Sequence, residues 1–420
     1  MAGSARAALR QVYAYFNQFR GFDRDIKFLL MSNFFIAIVS GLTSIIWPLY
    51  LDVLGYDPVV IGALLGASAI ISVPVLFPAG VIADRYGRKR VLILSTLANA
   101  FAFVIYAALT DFPSLLLASA LIGVSWGTYI GPSNAILTDK TGLKERSYVF
   151  SLYSFLSSFA IIIGSLLAGA TDIVASALHQ TSPEAFRTMF WVTVVISVTT
   201  IPQLCLIREA SFVKRSRGLL SVRSWKLIGL FSLVNGLLGF GAGAFIPLLP
   251  LYLSTKFSAT KAELGVLFAI SNGAAAFANL FAPRLSERIG QVAAIAFTQG
   301  LSTIPLALIP SSGFFHWVAL LYVTRTALMI MCSPILNAFQ MSMVSQEERA
   351  SASGVVTMAW NGAYAAGSAA SGILMGIYLD LPIYVGSLFY ALSTILFYAH
   401  FRRIRQYPVE QLGQGGQKRS

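Results

Sequence analysis

Arg325 lies inside a long apolar stretch of this chain. A charge at such depth is costly unless it meets water, a partner or an anion. It stands about nine residues into a run beginning near His316, so at 1.5 Å per residue its Cα should sit ~14 Å deep. The guanidinium fork can grip a carboxylate or phosphate through two hydrogen bonds; carbonyls of a broken helix would serve it as an alternative. Asn134, Asn235, Asn272, Asn337, Gln340 and Asn361 also fall inside apolar runs. Each suits hydrogen bonding between helices, or contact with a solute. Trp126, Tyr129, Trp360 and Tyr364 share those runs and could wall a cavity. The 17 acids behave differently: each lies in a loop, in a terminus or near the end of an apolar run. Proton-coupled carriers commonly use a membrane-buried Asp or Glu, and none is evident. Coupling to a proton or other ion gradient stays open; no cofactor or metal is expected.

A second set of charges joins two apolar runs in the segment Gly80-Val81-Ile82-Ala83-Asp84-Arg85-Tyr86-Gly87-Arg88-Lys89-Arg90. A degraded copy follows as Pro283-Arg284-Leu285-Ser286-Glu287-Arg288-Ile289-Gly290. Glu287, Arg288 and Gly290 stand in register with Asp84, Arg85 and Gly87. A carboxylate near a helix terminus and an Arg–Asp pair at a water–membrane boundary can hold helical bundles together reversibly. Asp139, at the end of a later run, could complete such a pair.

These residues need elements to position them, and composition says which. Mean hydropathy is +0.73, with 56% apolar and 11% charged residues, far below the usual quarter charged for a soluble domain. Twelve runs are each long enough to cross a ~30 Å hydrocarbon core as a helix. They cover about 28–51, 59–83, 91–110, 115–138, 147–171, 188–207, 227–253, 263–282, 291–310, 316–340, 350–378 and 383–401. The repeat extends beyond the charged loop. Pro48-Leu49-Tyr50-Leu51 returns as Pro250-Leu251-Tyr252-Leu253, Gly62 as Gly265, Arg146 as Arg349, Gly164-Ser165 as Gly367-Ser368 and Gly169 as Gly372. The expected fold is an all-α membrane protein, with twelve transmembrane helices in two pseudo-symmetric six-helix bundles. The bundles span 27–207 and 227–403, joined by a cytoplasmic linker over 208–226. Residues 1–26 form an N-terminal segment whose apolar positions, Leu9, Val12, Phe16 and Phe19, suit an interfacial helix. The polar tail, 404–420, should be disordered.

The net charge of +13 could suggest nucleic acid, but its placement argues otherwise. Of the 30 Lys and Arg, all but Arg187, Lys256, Lys261 and Arg325 fall on one side of this topology. Loop Lys and Arg mark the cytoplasmic face. Both termini are then cytoplasmic, the protein sits in the cell membrane, and its partners are the bilayer and a small solute, with a monomer expected.

The G-x-x-x-D-R-x-G-R-K pattern between two spans closely resembles the signature loop of the major facilitator superfamily, and the likeness runs from Asp25 to Arg403. The resemblance implies two six-helix halves that rock around a central site, and a loop on the cytoplasmic side between the second and third helices of each half. In that family the loop aspartate faces the start of the eleventh helix, and the second Arg pairs with an acid ending the fourth. Asp84, Arg88 and Asp139 match those positions; Gly80, Arg85 and Gly87 complete the motif. In the second copy Gln291 replaces the second Arg and Ser342 the second acid, so the implied gate is lopsided. Gly164-Ser165-Leu166-Leu167-Ala168-Gly169 is similar to an element of drug/proton antiporters, with Ser165 for its Pro and Ala168 for one Gly. Close packing of small residues explains it equally.

Other classes find little support. Cys205 and Cys332 lie in predicted spans, His179, His316 and His400 are scattered, and no phosphate-binding loop of an ATP-driven pump occurs. No nucleophile–base or metal constellation marks an enzyme. The expected function is secondary active transport of a small organic solute by alternating access, with efflux of amphiphilic compounds first. The alternative is an organic-anion or metabolite carrier using Arg325, and a non-transporting sensor comes last.

Overall fold

A polypeptide in hydrocarbon must satisfy its backbone groups internally, which selects helices or closed barrels. The computed structural model describes residues 22–142, 145–208, 224–345 and 348–402, and these fold into helices. In chain order they are α1 (Arg24–Val53), α2 (Pro58–Tyr86), α3 (Arg88–Ala108), α4 (Phe112–Asp139), α5 (Arg146–Gly169), the short α6 (Thr171–Ala177) and α7 (Ser182–Leu206). The second half holds α8 (Trp225–Phe245), α9 (Leu249–Phe257), α10 (Lys261–Ile289), α11 (Gln291–Leu308), α12 (Phe315–Ser342), α13 (Arg349–Ile377) and α14 (Leu381–Phe401). Eleven of the described helices are long and apolar enough to cross a membrane. The twelfth expected span, α13, has the length, at 29 residues. Its Ser, Thr, Gly and Asn361 content makes it less apolar. The interfacial helix expected around Leu9, Val12, Phe16 and Phe19, most of the linker and the tail lie outside the described residues.

One expected span is two helices. The run 227–253 breaks at Ile246–Leu248, between α8 and α9. Pro247 lacks an N–H and its ring collides with the carbonyl four residues back. Prolines are tolerated elsewhere: α1 runs through Pro48, the repeat mate of Pro250, and α2 through Pro74 and Pro78. In the second half the break falls at Pro247, and Pro250 stands in the first turn of α9, where its missing N–H costs no helix bond.

The chain divides into two compact units. One holds Met1–Tyr56, Ala67–Ser216 and Thr260–Ala269; the other holds Asp57–Gly66, Arg217–Ala259 and Ile270–Ser420. In the first unit α1 packs on α5 and α7, and α3 packs on α4 and α7. In the second, α8 packs on α13 and α14, and α11 packs on α12 and α14. The duplication seen in sequence is thus a duplication of helix pairing.

Glycines set the closest of these approaches. A Cβ on Gly164 would overlap the Ile38 carbonyl and lie 2.8 Å from the Leu42 nitrogen, so α1 and α5 touch backbone to backbone. Its repeat mate Gly367 would overlap the Phe240 carbonyl and lie 2.9 Å from the Ala244 nitrogen, joining α8 to α13 in the same way. Small residues that let helix backbones approach are the usual device of membrane interfaces. The opening residues of α2 and α10 repeat it: within the second unit a Cβ on Gly62 would lie 2.6 Å from the Gly372 Cα. Within the first, a Cβ on Gly265 would lie 2.7 Å from the Gly169 Cα.

Candidate functional site

The signature segment is barely a loop. α2 continues through Asp84 and Arg85 to Tyr86, α3 starts at Arg88, and Gly87 alone turns the chain, at φ 108°. A side chain is strained at that φ, so the motif needs glycine there. Gly290 links α10 to α11 at φ 84°. The tight turn puts the Arg88 guanidinium between two acids: Nε donates to Asp84 Oδ1 at 3.0 Å, and Nη1 donates to Asp139 Oδ2 at 2.5 Å. Three helices of the first unit are thereby tied at one end. Asp84 and Asp139 are 65% and 49% exposed, so each pair adds at most about 1 kcal/mol. Arg85 lies over its neighbour Tyr86, and nothing crowds Gly80.

In the second unit, Gln291 and Ser342 occupy the corresponding positions, and no ion pair among the described residues engages Glu287 or Arg288. A different contact is shared by both copies. Arg146 donates to the Thr138 carbonyl at 3.1 Å, and Arg349 to the Met341 carbonyl at 3.0 Å. Each Arg opens one helix and satisfies the last turn of the helix before it, where cations are favoured. The sequence match of Arg146 with Arg349 flagged the pair without revealing this role.

Arg325, on α12, is 4% exposed. Its Nη2 donates to the Tyr390 hydroxyl on α14 at 2.5 Å. The guanidinium carbon lies 4.9 Å from the Phe245 ring centre and 5.1 Å from that of Tyr390. Tyr322 and Tyr364 complete the group, within electrostatic reach of Arg325 and Tyr390 respectively. Aromatic faces attract a cation, but they do not neutralise it. Nε finds no hydrogen-bond partner among the described residues, and no ion pair among them involves Arg325. Tyr390 and Phe245 were not among the residues singled out from the sequence. A lone tyrosine in an apolar helix gives no sign of which side chain it will meet.

The remaining candidates separate. Trp126, Tyr129 and Asn134 belong to the first unit, and the other candidates to the second. Tyr129 is buried, whereas Trp126, at 46%, and Asn134 are exposed. Asn337 is exposed; Asn272 and Trp360 are half-buried. Asn235 and Asn361 correct an expectation. Instead of bridging helices, their amides donate to carbonyls four residues back, Phe231 at 2.8 Å and Thr357 at 3.0 Å. In an apolar setting the nearest acceptor is the residue's own helix.

One charged cluster escaped sequence reasoning. Asp380, just before α14, is buried and accepts from the Tyr252 hydroxyl at 2.6 Å and the Lys256 ammonium at 2.5 Å. Lys256 also donates to the Pro310 carbonyl at 2.7 Å. The spacing of Tyr252 and Lys256, four apart on α9, was the available signal. Burial pushes the Asp380 carboxyl up, but Lys256 and the hydroxyls of Tyr252 and Tyr378 outweigh it and hold its pKa below the ordinary value. A depressed folded pKa stabilises the fold above the unfolded value, near 3.9, and that contribution is lost as pH falls through the folded pKa. Asp380→Asn should therefore cost ~1.5–3 kcal/mol at neutral pH, with the gap from wild type closing under acid. Equal melting temperatures at neutral pH would refute the cluster's role.

Residues 29–229 and 231–420 match the family model of the Major Facilitator Superfamily. The chain belongs to this superfamily and is a multi-pass membrane transporter. Among its relatives, quinolone resistance protein NorA of Staphylococcus aureus is 22% identical over 367 residues, covering 86% of this chain and 93% of that protein. The 3-(3-hydroxy-phenyl)propionate transporter of Escherichia coli is 30% identical over 148 residues, 35% of this chain and 34% of that one. The nucleoside transporter NupG shares the fold, with a TM-score of 0.73 at 16% identity, covering 91% of this chain and all of the other.

Proposed function

We propose that this protein is a secondary active transporter that exports small amphiphilic organic solutes by alternating access, and that these include aromatic anions engaged by Arg325. The observation that carries the anion reading is the buried Arg325 guanidinium, set among aromatic rings, with its charge unmatched and its Nε bare among the described residues. A carboxylate would neutralise that charge and accept its free N–H, while an aromatic body would match Phe245, Tyr390 and their neighbours. Export is supported by likeness to a quinolone resistance protein along most of the chain. Aromatic carboxylates are supported by partial likeness to a 3-(3-hydroxy-phenyl)propionate carrier, whose solute is of that kind. The repeated helix pairing supports alternating access, since paired halves are the usual architecture of such carriers.

Purified protein in liposomes should exchange a labelled aryl-propionate across the membrane faster than the corresponding uncharged amide. Equal exchange of the two would refute the anion reading. Exchange of lipophilic cations without any aryl carboxylate would leave amphiphile export standing alone.

A further inference from the structure

The first unit carries a second basic feature, remote in sequence from Arg325. Where α1 begins, α3 begins and α7 ends, a cavity of about 620 Å³ is lined by Arg24, Lys89, Arg90 and Arg208, with Cys205 and Leu206 at its apolar edge. Among the described residues no carboxylate lines it. Asp25, next to Arg24 in the chain, is turned to other groups: it accepts from the Lys140 ammonium at 2.6 Å and from the backbone N–H, not the guanidinium, of Arg208 at 3.2 Å. The cavity wall is built rather than fortuitous, because the Lys89 ammonium donates to the Cys205 carbonyl at 2.5 Å and joins α3 to the end of α7.

Its depth is equally informative. α3 turns apolar just after Arg90, and α7 stops being apolar at Leu206, so the four cations stand at the edge of the hydrocarbon. Below Arg90 the same face of α3 shows Leu94, Leu97 and Phe101, all exposed. These recur at helical spacing, in line with Arg90. Leu206 heads a similar exposed apolar stripe on α7 through Val198 and Val195. Cations above and an apolar track below match a molecule with a phosphate at one end and acyl chains at the other.

We propose that this cavity binds the phosphate-bearing headgroup of an anionic membrane phospholipid, with the acyl chains lying along α3 and α7. Basic pockets between membrane helices hold such headgroups by charge, each Lys or Arg adding a comparable increment. A bound lipid would brace the ends of α1, α3 and α7 together.

The test uses the full chain in vesicles of phosphatidylcholine alone and of equimolar phosphatidylcholine and phosphatidylglycerol. Retained lipid is read by native mass spectrometry and stability by thermal melting. Phosphatidylglycerol should be retained preferentially and should raise the melting temperature. Arg90→Gln with Arg208→Gln should weaken its retention about thirtyfold, while leaving phosphatidylcholine retention unchanged. Inorganic phosphate and glycerol phosphate are added separately in the phosphatidylcholine vesicles. If either protects the protein as well as phosphatidylglycerol does, the site reads free phosphate and the lipid assignment falls. Equal retention of both lipids by the wild type overturns it too, and that comparison holds even if the double variant does not fold.

Discussion

Replacing Arg325 with Gln is expected to reduce exchange of an aryl carboxylate by one to two orders of magnitude, with melting temperature nearly unchanged. A hydrogen bond to a charged group contributes ~1.5–3 kcal/mol, and losing it on substrate binding has about that effect on the rate. Gln keeps a donor for the Tyr390 hydroxyl, so the packing between α12 and α14 should survive. Arg325→Lys keeps the charge but loses the planar fork, and should retain weak exchange. The neutral amide solute supplies the internal control, since its exchange should not distinguish wild type from the Gln variant. A Gln variant that exchanges the carboxylate normally would remove Arg325 from the site. If the Gln variant fails to fold, the Lys variant decides: full carboxylate exchange with Lys would assign Arg325 to architecture.

Gly164→Ala is expected to lower the melting temperature sharply, and Gly131→Ala to leave it unchanged or raise it. The two substitutions add the same methyl group to helices of the same unit. At Gly164 that methyl would occupy the space of the Ile38 carbonyl, which is backbone and cannot rotate away, so α1 and α5 must separate. Overpacking of this kind costs ~1–3 kcal/mol. At Gly131 a Cβ meets nothing within 4 Å, and alanine gains the helix preference that glycine lacks, roughly 1 kcal/mol. Gly367→Ala should repeat the Gly164 result in the second unit, since its Cβ would meet the Phe240 carbonyl. Equal melting temperatures for Gly164→Ala and wild type would show that the α1–α5 approach relaxes without cost. That outcome would also reopen a role for the Gly164-Ser165 element beyond packing.

Much of this protein is legible along the chain, because the bilayer imposes a length and a polarity on every span. Apolar runs of sufficient length, the charged turns between them and the recurrence of Gly164-Ser165 as Gly367-Ser368 specified the helices and their duplication without any structure. The helix break at Pro247 was readable in principle, but hydropathy does not register a proline's missing N–H. What only the tertiary structure decided is which side chains meet. In water an amphipathic stripe tells which face of a helix is buried; a span that is apolar all round carries no such stripe. Tyr390 therefore could not be assigned to Arg325, 65 residues away, nor Asp380 to Lys256, 124 residues away. For the same reason the sequence paired Gly62 with Gly265 as copies, whereas packing sets Gly62 against Gly372 and Gly265 against Gly169. Repetition is a property of the chain; contact depends on which faces the helices turn toward one another, and that is fixed only when they pack.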